Sequence, residues 1–225
     1  MCLMTKRDAP FALGEWYHCY NRGIEKRISF EDTRDYHRFL ELLYLANDEA
    51  PLRRNDIGTR KFEEVLKIPR TKKIVAIGAF CLMPSHFHLA LKETSEGGIT
   101  TFMRKVGTAY TLYFNARYKR EGNLFLKPFQ SIHASPDRYP HLINYVHANP
   151  TILYEPEWKT GHVVDHQFVE ERLATYPYSS LSAHCGVPTP ASAIIDTEIL
   201  SQARTIPIHK MLREARQYCA NLDIP

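Results

Sequence analysis

At 225 residues, 44% hydrophobic and 24% charged, the chain has the size and composition of one globular domain with appendages. No apolar run approaches the roughly 18–20 residues needed to cross a bilayer, and the first seven residues lack the apolar core of a secretory signal. Five cysteines (Cys2, Cys19, Cys81, Cys185, Cys219) are scattered, odd in number and without CxxC spacing, which argues against a disulfide framework or zinc knuckle and for a reducing, cytoplasmic setting. The net charge is only +4, but it is unevenly placed. Between Arg53 and Lys73 eight basic residues face three acidic ones, giving that stretch +5 and leaving the rest of the chain close to neutral. Clustered positive charge is the footprint of a phosphate-backbone binder, and equally of a solvated surface excursion.

In chain order, the aromatic run Trp16-Tyr17-His18-Cys19-Tyr20 predicts a strand closed by a turn at Asn21-Arg22-Gly23. Glu31 to Ala46 predicts a helix, with Asp32 or Thr33 as its cap and Tyr36, Phe39, Leu40, Leu42, Leu43 and Leu45 on its apolar face. A short helix is expected around Lys61–Leu66, ended by Pro69. The continuous apolar run from Ile74 to Met83 predicts a buried strand, turned by Pro84-Ser85 into a second strand, His86 to Lys92. Gly97-Gly98 precedes a long helix, Ile99 to Arg120, whose expected buried stripe is Phe102, Val106, Ala109, Tyr110, Tyr113 and Ala116. Leu124 to Ala134 suggests a further strand interrupted by Pro128, and Pro136 to Ala148 a helix stopped at Asn149-Pro150. A proline-rich remainder ends in a helix around Ile208–Asn221. The order strand, helix, strand, strand, helix, strand predicts an α+β domain of ferredoxin-like type, an antiparallel sheet with helices on one face. That domain spans 10–186, with a basic insertion at about 50–73, and is followed by a helical C-terminal extension over 187–225.

Two constellations carry chemistry. Residues i and i+2 of a strand share a face, so His86 and His88 can offer imidazole nitrogens to one metal ion while Phe87 and Leu89 enter the core. The competing reading is a pair of surface histidines on a half-exposed strand. In the helix ending at Ala148, i, i+4 spacing aligns His141, Tyr145 and Asn149 on one face. There a phenol sits one turn from an amide oxygen that could complete a metal shell. Tyr145 reads equally as a packed aromatic, and Asn149-Pro150 as a helix stop.

Four segments, taken together, resemble a known family. Trp16-Tyr-His-Cys-Tyr-Asn-Arg-Gly23, Phe80-Cys-Leu-Met-Pro-Ser-His-Phe-His-Leu89, Tyr145-Val-His-Ala-Asn-Pro150 and Tyr176-Pro-Tyr-Ser-Ser180 follow one another in the order of the single-tyrosine HUH transposases, and are most similar to the REP-associated tyrosine transposases of bacteria. The resemblance runs from about Trp16 to Gly186.

It implies a ferredoxin-like domain whose central strand carries the metal-binding pair His86 and His88, with Tyr145 as nucleophile and Asn149 as a third, polar ligand. It implies magnesium or manganese as cofactor and single-stranded DNA bearing a hairpin as substrate. Cleavage passes through a 5′-phosphotyrosine, and rejoining needs no external energy source. Arg22 and the cations of the long helix, Arg104, Lys105, Arg117, Lys119 and Arg120, are the expected phosphate contacts. Trp16 is a candidate for base stacking or the core, and His141 and His147 are candidates for assisting the phenol. A homodimer is a further expectation, because some relatives form one. The Arg53–Lys73 stretch departs from the family pattern and is expected to be an additional DNA-contacting arm. Two other classes compete: a non-catalytic DNA-binding regulator derived from a transposase, and a metal-dependent nuclease that uses water.

Overall fold

The computed structural model describes residues 10–52, 58–202 and 206–220. Cys2 and the rest of the N-terminal segment, Arg53, Arg54 and Asp56 of the basic stretch, and Asn221 lie outside the described residues. Four strands, β1 (Trp16–Arg22), β2 (Val75–Met83), β3 (His86–Glu93) and β4 (Gln130–Ala134), form one sheet in the order β2-β3-β1-β4. Every pairing is antiparallel, with His18 opposite Ala90 and Tyr20 opposite His88 across β1 and β3. This is the expected ferredoxin-like arrangement, with β1 and β3 in the centre.

The helices between those strands, α1 (Thr33–Leu45) and α3 (Gly98–Tyr118), cover one face of the sheet. Asp32 caps α1, its carboxylate accepting from Arg34 N and Asp35 N, while the Asp35 carboxylate accepts from Glu31 N. α3 has no capping side chain of its own. The buried Glu93 carboxylate, at the end of β3, accepts from Gly98 N and Ile99 N at 3.1 and 2.7 Å instead. A Cβ at position 98 would collide with the Ile74 carbonyl, so glycine is required there. The buried stripe of α3 advances in steps of four, Phe102, Val106, Tyr110 and Phe114. Tyr113 is therefore only half-buried and Ala116 is exposed, contrary to expectation.

β2 shifts register between Ile77 and Ala79. This bulge at Gly78 keeps Val75, Ile77, Phe80 and Leu82 all in the first core, and sends Ala79, Cys81 and Met83 to the opposite face. The fourth strand is shorter than expected, beginning at Gln130 after a cis Lys127–Pro128 bond, with Phe125 bridging only Gly23. The short α2 (Phe62–Val65) packs on α1.

The second face of the sheet is also covered, by α4 (Tyr139–Ala148), α5 (His166–Ala174), α6 (Leu181–His184) and α8 (Ile208–Ala220), the last of these packed along α4. A short helix, α7 (Thr197–Gln202), precedes α8. Residues beyond 186 thus enter both cores: Ala191, Ile194 and Ile195 join the first, and Ile208, Met211, Leu212, Ala215 and Tyr218 the second. The Tyr176–Ser180 segment lies along the outer edge of β2. Leu82 N donates to Tyr178 O, Ser180 N to Phe80 O, and the Tyr176 hydroxyl to Leu82 O. That run closes the sheet edge. No helix among the described residues is long and apolar enough to cross a membrane.

Candidate active site

The alternation of β3 places Phe87 and Leu89 in the first core and turns His86 and His88 to the second face. There α4 lowers Tyr145 onto them. The His88 and Tyr145 rings lie 5.5 Å apart, edge to face, and the His86 and His88 rings 5.1 Å apart. Both histidines have Nδ1 engaged: Ser85 Oγ is 3.1 Å from His86 Nδ1, and His18 Nε2 is 2.9 Å from His88 Nδ1. Nε2 is therefore the ring nitrogen that remains in each, and in His88 it is buried without a hydrogen-bond partner.

Two aromatic neighbours come from elsewhere in the chain. His18, on β1, stands 5.3 Å from the Tyr145 ring. Tyr218, on α8, packs 5.3 Å from Tyr145 and 6.0 Å from His18. Glu214 fastens the same helix to α4, accepting a 2.6 Å bond from Asn144 Nδ2 and lying 3.8 Å from His141 Nδ1. As a result Tyr145 is fully buried, and both its hydroxyl and that of Tyr218 lack hydrogen-bond partners.

Burial dominates the electrostatics. It lowers His18 to about 3 and His86 to about 4, and holds His88 well below the usual histidine value. In His88 the neighbouring His86 and His18 rings act in the same direction. The positive charge of Lys159 depresses all three, and Arg22 adds to the effect at His86. Neutral imidazoles are the form that binds a cation. Burial also raises the Tyr145 phenol well above its ordinary value, so it is un-ionised in this closed arrangement. Lys159 Nζ lies 5.9 Å from the centre of the Tyr145 ring.

The structure brings together His86, His88, Tyr145 and Arg22, the last residue of β1, which pairs with His86. Asn149 lies one turn beyond Tyr145 and is buried, but its amide nitrogen donates to the Tyr145 carbonyl at 2.7 Å, so it also closes the helix. The α3 cations are not brought to this site, because α3 lies on the other face of the sheet. Arg117 is bound into the domain instead, through Asp32 at 2.5 Å and the buried Asp35 at 2.6 Å. Lys105 donates to the Asp48 and Ala50 carbonyls, and Arg120 to Asn115 Oδ1 and the Asn123 carbonyl. Arg104 and Lys119 are exposed on that far face. In the basic stretch, Arg70 stacks on Tyr44, Lys72 pairs with Glu49 and Lys73 with Asp196. Trp16 is half-buried, packing on Tyr139 at 4.3 Å against the second core. His147 bonds Ser180 Oγ at 2.8 Å, and His141 faces Glu214; both are engaged away from the phenol.

Sequence reasoning missed His18, Lys159 and Tyr218. For His18 one signal existed, since it alternates with Tyr20 on the strand face opposite Tyr17 and Cys19. Nothing in the sequence joins Lys159 or Tyr218 to a site more than 60 residues away in β3.

The chemistry of the two histidines fits a divalent cation: a buried Nε2 without a partner and a second imidazole at i−2 on the same strand face are nitrogen donors for one.

No family model matches the chain, and no curated protein matches it. Among solved structures the chain is similar to a REP-associated tyrosine transposase bound to a REP hairpin, with a TM-score of 0.51 and 15% sequence identity, over 90% of this chain and 99% of that one. At that identity the likeness establishes a shared fold along nearly the full length of both chains.

Proposed function

We propose that this chain is a single-tyrosine transposase of the REP-associated type, cutting and rejoining hairpin-bearing single-stranded DNA through a covalent 5′-phosphotyrosine on Tyr145. The observation that carries the reading is the seating of Tyr145 against the His86/His88 pair, in a fold shared with a tyrosine transposase bound to a REP hairpin. The ordered motifs add to it independently of the fold. His86 and His88, with Asn149, would hold magnesium or manganese, which when bound polarises the scissile phosphate and offsets charge developing on its oxygens.

The chain's own groups do the rest. Tyr145 Oη attacks phosphorus, the bond to the 3′ oxygen breaks, the phenol loses its proton and the departing 3′ oxygen takes one up. Attack by a 3′ hydroxyl on the phosphotyrosine runs the step backwards and rejoins the strand. Arg22 and Lys159 flank the histidines as cations for the phosphates. A phosphate reaches Tyr145 only when Tyr218 and its helix move aside, and the same movement relieves the burial that keeps the phenol neutral.

One observation favours a second reading. A nucleophile sealed beneath α8 is also what a DNA-binding regulator that no longer cleaves would show. Denaturing electrophoresis with 3′-labelled hairpin DNA and manganese separates the two. A labelled protein band in wild type, lost in Tyr145→Phe and in His86→Ala, supports the transposase. Binding without any band supports the regulator, and cleavage that survives in Tyr145→Phe supports a nuclease that uses water.

A further inference from the structure

His18 has no role in the reaction as described, yet it makes the closest side-chain contact that His88 has. The two histidines stand on the central strands β1 and β3, diagonally placed on the same face, with His18 Nε2 2.9 Å from His88 Nδ1. His18 is fully buried and His88 nearly so. The His18 ring is held by Tyr20 at 4.8 Å, stacked, and by the edges of Tyr145 and Tyr218.

A nitrogen-to-nitrogen bond between neutral imidazoles holds one proton, which leaves two arrangements. In the first, His18 Nε2–H donates to His88 Nδ1. His88 then carries its own proton on Nε2, and that nitrogen has no lone pair for a ligand. In the second, His88 Nδ1–H donates to His18 Nε2, and the buried, partnerless His88 Nε2 presents its lone pair to the site. Only the second arrangement makes His88 a ligand. A free histidine side chain in water prefers its proton on Nε2, so the second arrangement, in which His18 keeps its own proton on its buried Nδ1, is the one in which the bond to His18 turns His88 away from that preference.

We propose that His18 is a positioning residue which holds His88 in the Nδ1–H form and fixes its ring, so that Nε2 faces the ion. The inference rests on the reading of His86 and His88 as a cation site. His18 acts through His88 and not as a third ligand. Its Nε2 is already engaged, and among the described residues no group of three or more His, Cys, Asp or Glu side chains is arranged to hold an ion. Ser85 Oγ performs the corresponding service at His86 Nδ1, so both ligating rings are oriented from the same nitrogen.

The test uses the full chain and two variants. His18→Phe keeps a ring of similar size without an acceptor, and His18→Gln supplies an amide oxygen that can receive the Nδ1 proton. Long-range 1H–15N spectra of the metal-free proteins read the His88 tautomer directly. Wild type and His18→Gln are expected in the Nδ1–H form, with His18→Phe moving towards Nε2–H. Titration with Mn2+, followed by the paramagnetic signal of the free ion, is expected to show binding weakened about 10–100-fold in His18→Phe and largely retained in His18→Gln. An Nε2–H form of His88 in wild type, or a tautomer unchanged in His18→Phe, overturns the proposal. If wild type takes up no Mn2+ while the tautomer still shifts as expected, the positioning stands and the cation-site reading is what fails.

Discussion

Tyr145 buries its hydroxyl without a hydrogen-bond partner, and an unsatisfied buried polar group costs about 1–3 kcal/mol. Tyr145→Phe should therefore leave the stability unchanged or raise it by about 1 kcal/mol in chemical denaturation; a loss of stability would show that the hydroxyl is satisfied in the folded protein. Arg117 is the opposite case, a residue whose value is structural. It joins Asp32 and the buried Asp35 from across the α1–α3 interface, so Arg117→Met should cost about 1.5–3 kcal/mol. Its salt dependence of DNA binding should stay that of wild type; a flatter slope would restore Arg117 as a phosphate contact. The Arg117 hydrogen bond is the largest influence on Asp32, holding its carboxyl at about 2 against an ordinary 3.8. Because the folded value is the lower one, this contribution is fully present above about pH 4 and disappears as pH falls through about 2. The deficit of the variant should narrow over that interval. The His86/His88 pair was legible because a period of two in a strand fixes which side chains share a face. His18 was not, because its bond to His88 exists only through the pairing of strands 70 residues apart. The pairing of Arg117 with Asp32 and Asp35 was not legible, because helical periodicity gives an outward-leaning position but says nothing of an acidic partner on another helix.

At the level of elements, α1 was readable from its cap and apolar stripe, and the β2–β3 hairpin from its apolar run and Pro84-Ser85 turn. The bulge at Gly78 was hidden, since a run apolar on both faces carries no alternation to betray a change of phase. The start of α3 depends on Glu93, a residue of the preceding strand that substitutes for a missing cap. Glu93→Ala should lower the unfolding free energy by about 2 kcal/mol, judged from charge-assisted bonds to backbone N–H groups; a change within experimental error would mean that the helix is capped otherwise. The C-terminal helix α8 was expected, but not its place over Tyr145. Its sequence shows an apolar face without showing which surface receives it. Hydrogen exchange measures whether α8 must yield to substrate. Its amides should exchange faster once hairpin DNA is bound, while those of α3 keep their protection, and equal protection of α8 with and without DNA would contradict a site opened by this helix.

For the whole molecule, the ferredoxin-like order of strands followed from the sequence of elements, because few topologies accommodate strand, helix, two strands, helix and strand. The division of labour between the two faces did not. The α1–α3 face is a conventional core, whereas the opposite face packs α4 and α8 over a sheet surface bearing His18, His86 and His88. That division separates the α3 cations from the candidate chemistry, beside which Arg22 and Lys159 are positive groups. The central claim is that Tyr145 becomes covalently joined to DNA. It is tested most directly by trapping the protein with hairpin-bearing single-stranded DNA and manganese, digesting with trypsin and nuclease, and locating the modified tyrosine by mass spectrometry. The 139–159 peptide contains Tyr139, Tyr145 and Tyr154, so fragmentation within it decides among them. A nucleotide 5′-phosphate on Tyr145 alone is the predicted result; a nucleotide on Tyr139, Tyr154 or Tyr218, or cleaved DNA with no modified tyrosine, would contradict the account.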